Sequence, residues 1–337
     1  MGIYLKVDDK DPDLEVLKIA ASILDSGGLV AFPTETVYGL GADALNEDAV
    51  RKIFIVKGRP QDNPIIVHVG DKEQVYSLAE DVPEIAEILM ENFWPGPLTM
   101  IFYKSPIVND VVTAKSAKVA IRQPQNTVAL RLLEIFGKPI AAPSANLSGR
   151  PSPTKAEHVL EDLRDKVDLI IDGGDVNWGI ESTVIDVTTD PPMILRPGAC
   201  TKEDIEGVLK KEVENWSKEK GGDAPSPGLK HRHYAPSVPL FIIEEFNELW
   251  QNRIDNWIKE GKKIGVLASE EFKDRYPERI KVFVVGSRKD LARISLNLFS
   301  GMRKLEKEVD IILSESYEEK GLGFAIMDRL RRAAGEK

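Results

Sequence analysis

Two polar stretches, far apart in the chain, carry residue types suited to binding a nucleoside triphosphate. The first is Lys57-x-Arg59, in which two cations stand one residue apart, and Asn63 follows closely. The second, 144–154, begins Ser-x-Asn and adds further hydroxyl groups and a Gly-Arg-Pro turn. Phosphate oxygens accept charge-assisted hydrogen bonds from fixed cations, and a ribose exchanges neutral hydrogen bonds with hydroxyl and amide groups. Together the two stretches predict an ATP-using enzyme that adenylates its substrate.

The two cations of the first stretch also have a purely structural interpretation. Asn46 has the residue type of an N-cap, and the helix that it begins is predicted to end near Val56. Lys57 and Arg59 then lie at the C-terminal end of this helix, where cations often only complement the helix dipole, and Gly58 would cap the helix. The local sequence leaves both interpretations open.

Arg122 and His68 are candidates for contacts to a substrate. Arg122 ends the predicted strand 118–122 and faces a loop. His68 lies in the predicted strand 64–70, and a single strand histidine is more often satisfied in a core than used as a ligand.

The remaining reactive side chains give weaker signals. Cys200 is the single cysteine, and in Arg-Pro-Gly-Ala-Cys we expect it to pack rather than to act as a nucleophile. The segment 231–234, His-Arg-His-Tyr, concentrates polar residues between prolines. No carboxylate or cysteine stands beside its histidine pair, which argues against a metal site.

Composition and charge exclude several classes of protein. The 337 residues are 42% hydrophobic and 30% charged, as in ordinary globular proteins. The net charge of −10 argues against a broad electrostatic grip on nucleic acid. No apolar run approaches the ~20 residues of a membrane span, and the N-terminus lacks a signal pattern. We therefore expect a soluble, cytoplasmic protein without internal disulfides.

Helix and strand patterns alternate over the first part of the chain, which predicts an α/β or α+β domain with its site at one edge of a sheet. Predicted helices are 13–24, 46–56, 73–80, 83–93, 126–136, one opened by a capping box at Thr154 and reaching 163, and one opening at Thr201. Predicted strands are 29–32, 64–70, 98–103, 118–122, 168–172, 183–188 and 193–195.

The composition changes after this domain. We expect a catalytic domain at 1–206, a linker or lid at 207–237, and a second domain at 238–337. The second domain repeats strand and helix in a parallel, Rossmann-like pattern without a Gly-x-Gly-x-x-Gly turn after its first strand, so dinucleotide binding is not supported. Its predicted strands are 240–243, 264–267, 282–285 and 310–313, and its predicted helices are 246–260, 289–306 and 323–334.

Six motifs in order resemble the YrdC family of threonylcarbamoyl-AMP synthases, which begin the threonylcarbamoyladenosine modification of tRNA. They are Pro33-Thr34-Glu35-Thr36-Val37-Tyr38-Gly39-Leu40, Lys57-Gly58-Arg59-Pro60, Trp94-Pro95-Gly96-Pro97-Leu98-Thr99, Ala142-Pro143-Ser144-Ala145-Asn146-x-Ser148-Gly149, Glu181-Ser182-Thr183-Val184, and the stretch from Ser226 to Pro236. The resemblance covers essentially the whole chain and is closest to the two-domain branch. It implies a twisted mixed sheet with flanking helices, joined by an ordered linker to a smaller Rossmann-like domain.

The resemblance also implies an activity and roles for individual residues. L-threonine, bicarbonate and ATP would give threonylcarbamoyl-AMP and pyrophosphate, with Lys57 and Arg59 as the catalytic residues. The implied ATP-binding residues are Lys57, Arg59, Asn63, Lys118, Ser144, Asn146, Ser152, Arg196 and Tyr234, the last in a linker that acts as a lid, with His233 beside it. The implied threonine-binding residues are Thr36 (with Thr34 as the alternative), His68, Arg122, Ala142 and Ser182.

The resemblance implies Mg²⁺ that arrives with ATP, and no protein metal site. It implies a downstream complex that transfers the threonylcarbamoyl group to tRNA, at most indirect contact with tRNA, and no membrane. The alternative to a synthase is a module that binds double-stranded RNA or tRNA without catalysis. A hydrogenase-maturation enzyme is a further alternative, but one cysteine cannot supply the zinc fingers of that class.

Overall fold

A computed structural model describes residues 2–217 and 233–335. The contacts divide the chain into two compact units. The first unit is formed by Met1–Ser148, Pro153–Asn177 and Glu181–Lys230. The second is formed by Gly149–Ser152, Trp178–Ile180 and His231–Lys337. Residues 218–232 of the predicted linker, His231 among them, lie outside the described residues.

The first unit contains a mixed sheet of 11 strands, in the order β1-β8-β2-β3-β7-β4-β6-β5-β9-β10-β11 over the described residues. These strands are β1 (Ile3–Lys6), β2 (Val30–Phe32), β3 (Gly39–Asp43), β4 (Val67–His68), β5 (Leu98–Tyr103), β6 (Lys118–Arg122), β7 (Ile140–Ala141), β8 (Leu169–Asp172), β9 (Thr183–Asp186), β10 (Met193–Arg196) and β11 (Glu214–Asn215). Parallel and antiparallel neighbours both occur in it, which confirms the predicted mixed α/β class.

The helices of the first unit are α1 (Leu14–Asp25), α2 (Glu47–Lys57), α3 (Glu73–Leu78), α4 (Glu84–Phe93), α5 (Asp110–Thr113), α6 (Thr127–Phe136), α7 (Ala156–Leu163) and α8 (Lys202–Leu209). Local capping explains where several of them begin. The side chains of Asp13, Asn46 and Asn126 each accept a hydrogen bond from a backbone N–H in the first turn of the helix that follows. At Thr201 both hydrogen bonds of the predicted capping box are present.

Helices α1 and α6 cover one part of this sheet. Leu17 and Leu24 of α1 and Leu132 of α6 are fully buried in one cluster with Phe32 of β2 and Leu169 of β8. Burial of side chains of this size stabilises each by roughly 1.5–3 kcal/mol relative to exposure. This packing fixes the end of β2, from which the loop carrying Thr34 and Thr36 departs.

The second unit is a four-stranded parallel sheet in the order β12-β15-β13-β14, which confirms the predicted Rossmann-like pattern. Its elements are β12 (Leu240–Ile243), α9 (Glu248–Lys259), β13 (Ile264–Ser269), β14 (Lys281–Gly286), α10 (Leu291–Leu305), β15 (Ile311–Glu315) and α11 (Leu322–Ala334). One core cluster contains Phe299 of α10 and Leu330 of α11. A separate cluster contains Ile254 of α9, so helices pack on both faces of the sheet.

Three local predictions differ from the structure. The predicted capping box at Thr154 is wrong, because Lys155 is the N-cap of α7 and makes no side-chain capping hydrogen bond. Thr154 instead donates its backbone N–H to Nδ1 of His158, 3.2 Å away. The predicted strand 64–70 is reduced to the two residues of β4. The elements β1, β3, β7, α5 and β11 were not predicted, since segments of two to five residues are too short to show a periodic pattern.

None of the helices in the described ranges combines the length and apolar character that a membrane crossing requires.

Candidate functional site

The guanidinium group of Arg122 contacts residues of two of the sequence motifs. Arg122 ends β6 and is only 3% exposed. Its Nη1 donates a hydrogen bond to Oγ1 of Thr36 at 2.9 Å, and its Nε donates to the carbonyl oxygen of Gly96 at 3.2 Å. Its Nη2 lies 2.6 Å from Oε1 of Glu35. One buried cation therefore links the end of a strand to the loop before β3 and to the Trp-Pro-Gly-Pro turn.

Strand register shows where Arg122 and Thr36 lie relative to the two ends of β3. Arg122 pairs with His68 of β4, which pairs with Ile140 of β7, which in turn pairs with Asp43 at the end of β3. Thr36 precedes the opposite end of β3. The loop before β3 therefore folds back over the sheet to meet the guanidinium group. The sequence predicted a site at one edge of the sheet, whereas this contact lies over the sheet.

Several polar atoms around Arg122 have no hydrogen-bond partner among the residues that the structure describes. They are Nη2 of Arg122, both carboxylate oxygens of Glu35 and Nδ1 of His68. The Arg122–Glu35 contact is close enough for an ion pair but is not aligned as a hydrogen bond. Buried polar groups are nearly always paired, so unpaired atoms grouped in this way mark a candidate binding site for a polar ligand.

His68 contributes a neutral acceptor to this site. Its pKa is lowered to about 3, mainly by burial and then by the nearby charge of Arg122, while hydrogen bonds with the backbone at Ile66 and Ile140 act in the opposite direction. At neutral pH the ring is uncharged, and one of its nitrogens accepts hydrogen bonds. Because Nδ1 has no partner among the described residues, the interpretation of His68 as a satisfied core histidine fails.

Hydrogen-bond geometry distinguishes Thr36 from Thr34. The hydroxyl of Thr34 donates to the carbonyl oxygen of Val37 at 2.6 Å and accepts from two backbone N–H groups of the same turn. Thr34 thus holds the loop. Thr36 faces Arg122 and shares a 2.9 Å hydrogen bond with Thr34. Of the two, Thr36 is the one that lies beside the candidate site.

Ser182 and Arg196, assigned to different substrates by the sequence, contact each other. Arg196 donates from Nη2 to the carbonyl oxygen of Ser182 at 2.9 Å and to its Oγ at 3.1 Å. The Ser182 hydroxyl also lies 2.8 Å from Oγ1 of Thr99. Gly198 permits this arrangement, since a Cβ there would lie 2.5 Å or less from the backbone at Ser182 and Thr183.

Lys57 organises the Ser-x-Asn loop. It ends α2, is 2% exposed, and donates hydrogen bonds to the carbonyl oxygens of Ser144 and Asn146. The backbone N–H of Ser148 donates back to the carbonyl oxygen of Lys57 at 2.9 Å. Within the loop, the Ser144 hydroxyl donates to Oδ1 of Asn146 at 2.6 Å. The end of α2 and the loop 144–148 are therefore one structural feature.

Arg59 stabilises the turn after α2. Gly58 caps the helix in the left-handed region with a φ of 61°. Arg59 then donates from Nε to the carbonyl oxygen of Asn63 at 3.1 Å and from Nη2 to that of Pro64 at 2.7 Å. The capping interpretation is thus correct for Gly58, while both cations are directed to neighbouring loops.

Ala142 and Lys118, which the resemblance implies as contacts to threonine and to ATP, have different surroundings. Ala142 donates its N–H to the carbonyl oxygen of Ile66 at 2.9 Å. Lys118 begins β6, and its side chain pairs with Asp186 at 2.8 Å. Lys118 and Arg122 stand at opposite ends of one five-residue strand, so about 13 Å separates their Cα atoms. The predicted ATP and threonine contacts are spread over that length.

The remaining predicted ATP-binding residues, Ser152 and Tyr234, belong to the second unit and are both buried. The ring of Tyr234 stacks on that of Phe299 with centroids 5.4 Å apart, and the guanidinium of Arg329 lies 5.3 Å from its centre. Tyr234 adopts a φ of 65°, in the left-handed region that non-glycine residues seldom occupy. Their roles in binding nucleotide stay predictions.

Sequence reasoning gave no role to Glu35, although it stands inside the first motif. The signal was available: a carboxylate between two threonines in a segment leading from a buried strand is unusual, because ionised side chains are seldom buried without a partner. Its partner, Arg122, is 87 positions later, and only the fold brings them together.

Models of two protein families match the chain. The model of the Sua5, YciO and YrdC family, described as "Telomere recombination", matches residues 22–198. A second model, described as "Threonylcarbamoyl-AMP synthase, C-terminal domain", matches residues 200–335. The similarity therefore extends over both parts of the chain.

Two relatives are similar over nearly the full length. A threonylcarbamoyl-AMP synthase of Pyrococcus abyssi is 46% identical, with 99% of this chain and 98% of the relative covered. One of Bacillus subtilis is 47% identical, with 94% and 92% covered. The crystal structure of P. abyssi Sua5 complexed with L-threonine has a TM-score of 0.91 at 46% identity and covers 99% of this chain and 98% of that chain.

Proposed function

The chain belongs to the Sua5, YciO and YrdC family, and on that basis we propose that it is a threonylcarbamoyl-AMP synthase. The reaction joins L-threonine, bicarbonate and ATP to give L-threonylcarbamoyladenylate and pyrophosphate. The enzyme is thus a nucleotidyltransferase that supplies the activated group for threonylcarbamoyladenosine in tRNA. Whole-chain similarity to proteins of this name supports the assignment.

The arrangement around Arg122 is the single observation that carries the proposal within this chain. An amino-acid substrate needs a cation for its carboxylate, and Arg122 presents an Nη2 without a hydrogen-bond partner among the described residues. A threonine hydroxyl needs a short polar partner, and the neutral ring of His68 offers Nδ1. Binding to RNA alone would not account for a buried cluster of partly unpaired polar groups of this kind.

Catalysis in this proposal depends on positioning and charge neutralisation. The threonine amine attacks carbon dioxide and releases a proton, or attacks bicarbonate and releases water, to form a carbamate. A carbamate oxygen then attacks the α-phosphorus of ATP, and the bond to the β-phosphate oxygen breaks so that pyrophosphate leaves. Lys57 and Arg59 neutralise the charge that develops on the phosphates. No covalent intermediate with a protein nucleophile is required.

Mg²⁺ enters the proposal as the companion of ATP. The described ranges contain no group of three or more His, Cys, Asp or Glu side chains that could hold a metal ion. We propose that the phosphates and water supply most of its ligands, as is common for Mg²⁺ at nucleotide sites. The cation neutralises phosphate charge beside Lys57 and Arg59.

The proposal extends to the setting of the enzyme. An adenylate is readily hydrolysed, so it must be consumed soon after it forms. We propose that the consumer is a complex that transfers the threonylcarbamoyl group to tRNA. The net charge of −10 favours indirect contact with tRNA rather than a broad binding surface. A single cysteine and the absence of disulfides are consistent with the proposed cytoplasmic location.

The activity is tested by pyrophosphate release from ATP with bicarbonate and Mg²⁺ present. Three reactions are compared: with L-threonine, with L-serine and without an amino acid. We expect release that depends on L-threonine and that disappears when EDTA removes Mg²⁺. No amino-acid-dependent release, together with firm binding of tRNA, would replace the synthase by the binding module.

A further inference from the structure

Glu35 is a buried carboxylate that the proposed reaction does not yet use. It lies in the loop between β2 and β3 and is 2% exposed. Its backbone carbonyl oxygen accepts a hydrogen bond from the N–H of Asn177 at 3.0 Å, which fixes the main chain. Neither of its carboxylate oxygens accepts a hydrogen bond from any described residue. Such a group is costly to bury unless something compensates it.

Arg122 compensates the charge of Glu35 but not its hydrogen-bonding capacity. The two groups approach to 2.6 Å and are both at least 96% buried at the side chain. Nη1 and Nε of Arg122 are used by Thr36 and Gly96. A buried ion pair contributes little net stability unless its remaining donors and acceptors are satisfied. The unsatisfied atoms of both partners therefore need an explanation other than stability.

An α-amino acid satisfies both partners at once. Its carboxylate accepts hydrogen bonds from Nη2 of Arg122, and its ammonium group donates to the carboxylate oxygens of Glu35. The ligand is a zwitterion and the pair is neutral overall, so binding adds no net charge to a buried site. A lone cation would bind any small carboxylate, whereas the pair also requires a positive group next to the carboxylate.

We propose that Glu35 receives the α-ammonium group of the amino-acid substrate, while Arg122 receives its carboxylate, so that the pair selects α-amino acids over other small carboxylates. The proposal rests on the synthase function and names a specificity-determining residue of its amino-acid site. It assigns Glu35 to the substrate itself and not only to the orientation of Arg122.

The competing role for Glu35 is purely positional. If Glu35 only oriented Arg122, its removal would weaken every carboxylate ligand by the same factor. If it binds the ammonium group, its removal weakens only ligands that carry that group. The suitable probe is (R)-3-hydroxybutyrate, which keeps the carboxylate, hydroxyl and methyl groups of L-threonine and lacks the amine.

The test is a binding cycle on the full chain by titration calorimetry. L-threonine and (R)-3-hydroxybutyrate are each titrated into the wild type, Glu35→Gln and the control Glu91→Gln, which alters an exposed carboxylate on α4. We expect the wild type to prefer L-threonine, and Glu35→Gln to lose about 10- to 100-fold of that preference. The affinity for the probe should change less than about threefold, and Glu91→Gln should behave as the wild type.

Equal weakening of both ligands in Glu35→Gln, or no weakening of either, would overturn the proposal. If Glu35→Gln does not fold, as judged by thermal unfolding, the wild type alone still decides: equal affinity for L-threonine and the probe is incompatible with an ammonium site. Binding is measured without turnover, so the two proposals can fail separately. If the wild type releases pyrophosphate in the presence of L-threonine but Glu35→Gln keeps the wild-type preference for L-threonine over the probe, the role of Glu35 is rejected and the synthase function is retained.

Discussion

The side-chain ammonium of Lys57 donates a hydrogen bond to the main-chain carbonyl oxygen of Ser144, across 87 positions of sequence. The cation is nearly fully buried, so the contact is made without competition from water. It fixes the loop that carries the predicted nucleotide-binding hydroxyl and amide groups. Lys57 thus has a structural task in addition to its proposed task at the phosphates.

Replacement of Lys57 by Met removes the charge and keeps most of the packing. We expect turnover at saturating substrates to fall about 100-fold or more, because a preorganised charge at the phosphates is lost. The affinity for L-threonine, which depends on Arg122, should change little. The measurements are pyrophosphate release and calorimetric titration of L-threonine.

Lys52→Met is the matched control on the same helix, since Lys52 also donates to a backbone carbonyl oxygen, that of Gly27. It should retain normal turnover. A Lys57→Met variant with normal turnover and a pure loss of threonine affinity would refute the role at the phosphates.

Arg122→Gln should destabilise the protein even without substrate. The substitution leaves the Glu35 carboxylate buried without a counter-charge, a change that typically costs about 3–5 kcal/mol. The double variant Glu35→Gln/Arg122→Gln has no uncompensated charge and should unfold at a higher urea concentration than Arg122→Gln alone. Circular dichroism during urea unfolding measures the urea midpoints of the two variants. Additive destabilisation by the two changes would show that the ion pair is not coupled in the folded protein.

The low pKa of His68 predicts that the stability of the protein depends on pH. The pKa of His68 is about 3 in the folded chain, against 6.5 for an unperturbed histidine. Between these values the unfolded state binds one more proton than the folded state, so stability rises with pH across this window by about 1.4 kcal/mol per unit. Above pH 6.5 the contribution is constant.

His68→Gln should remove this slope, because glutamine does not titrate. Urea midpoints measured from pH 4 to pH 8 should therefore vary less with pH in the variant than in the wild type below pH 6.5. Parallel curves for the two proteins would mean that His68 takes up a proton in the folded state.

The sequence predicted the elements that have a long, regular pattern. Helices α1, α6 and α10 and all four strands of the second unit follow from apolar periodicity and end signals such as Gly137, whose φ of 71° places it in the left-handed region. These signals are local. The capping box predicted at Thr154 failed because the side chain of His158, only four positions later, accepts the hydrogen bond from the backbone N–H that the box would have satisfied.

The candidate site was predictable as a set of residues but not as a set of contacts. Motif resemblance named Arg122, Thr36 and Lys57, whose side chains the structure directs to other motifs of the site. It could not show that Lys57 holds a loop, or that Glu35 meets Arg122. Those facts depend on a loop that folds back over the sheet, and no local pattern encodes such a path.

Two substitutions of Tyr234 test its predicted contact with the nucleotide and separate the effect of the buried ring from that of the hydroxyl group. Tyr234→Ala removes a buried ring from the core of the second unit, and its loss should cost about 3–5 kcal/mol of stability. Tyr234→Phe keeps the ring on Phe299 and removes only the hydroxyl. If the hydroxyl contacts ATP, Tyr234→Phe should raise the KM for ATP about 10-fold while its melting temperature stays within a few degrees of the wild type.

Tyr317→Phe is the control for that experiment, since Tyr317 is buried in the same unit and its hydroxyl has no hydrogen-bond partner among the described residues. Its KM for ATP should equal that of the wild type. An unchanged KM in Tyr234→Phe, with a raised KM in Tyr234→Ala, would assign the effect to the ring and its packing. Unchanged KM values in both Tyr234 variants would remove Tyr234 from the nucleotide site, because neither the hydroxyl nor the ring would then contribute to ATP binding.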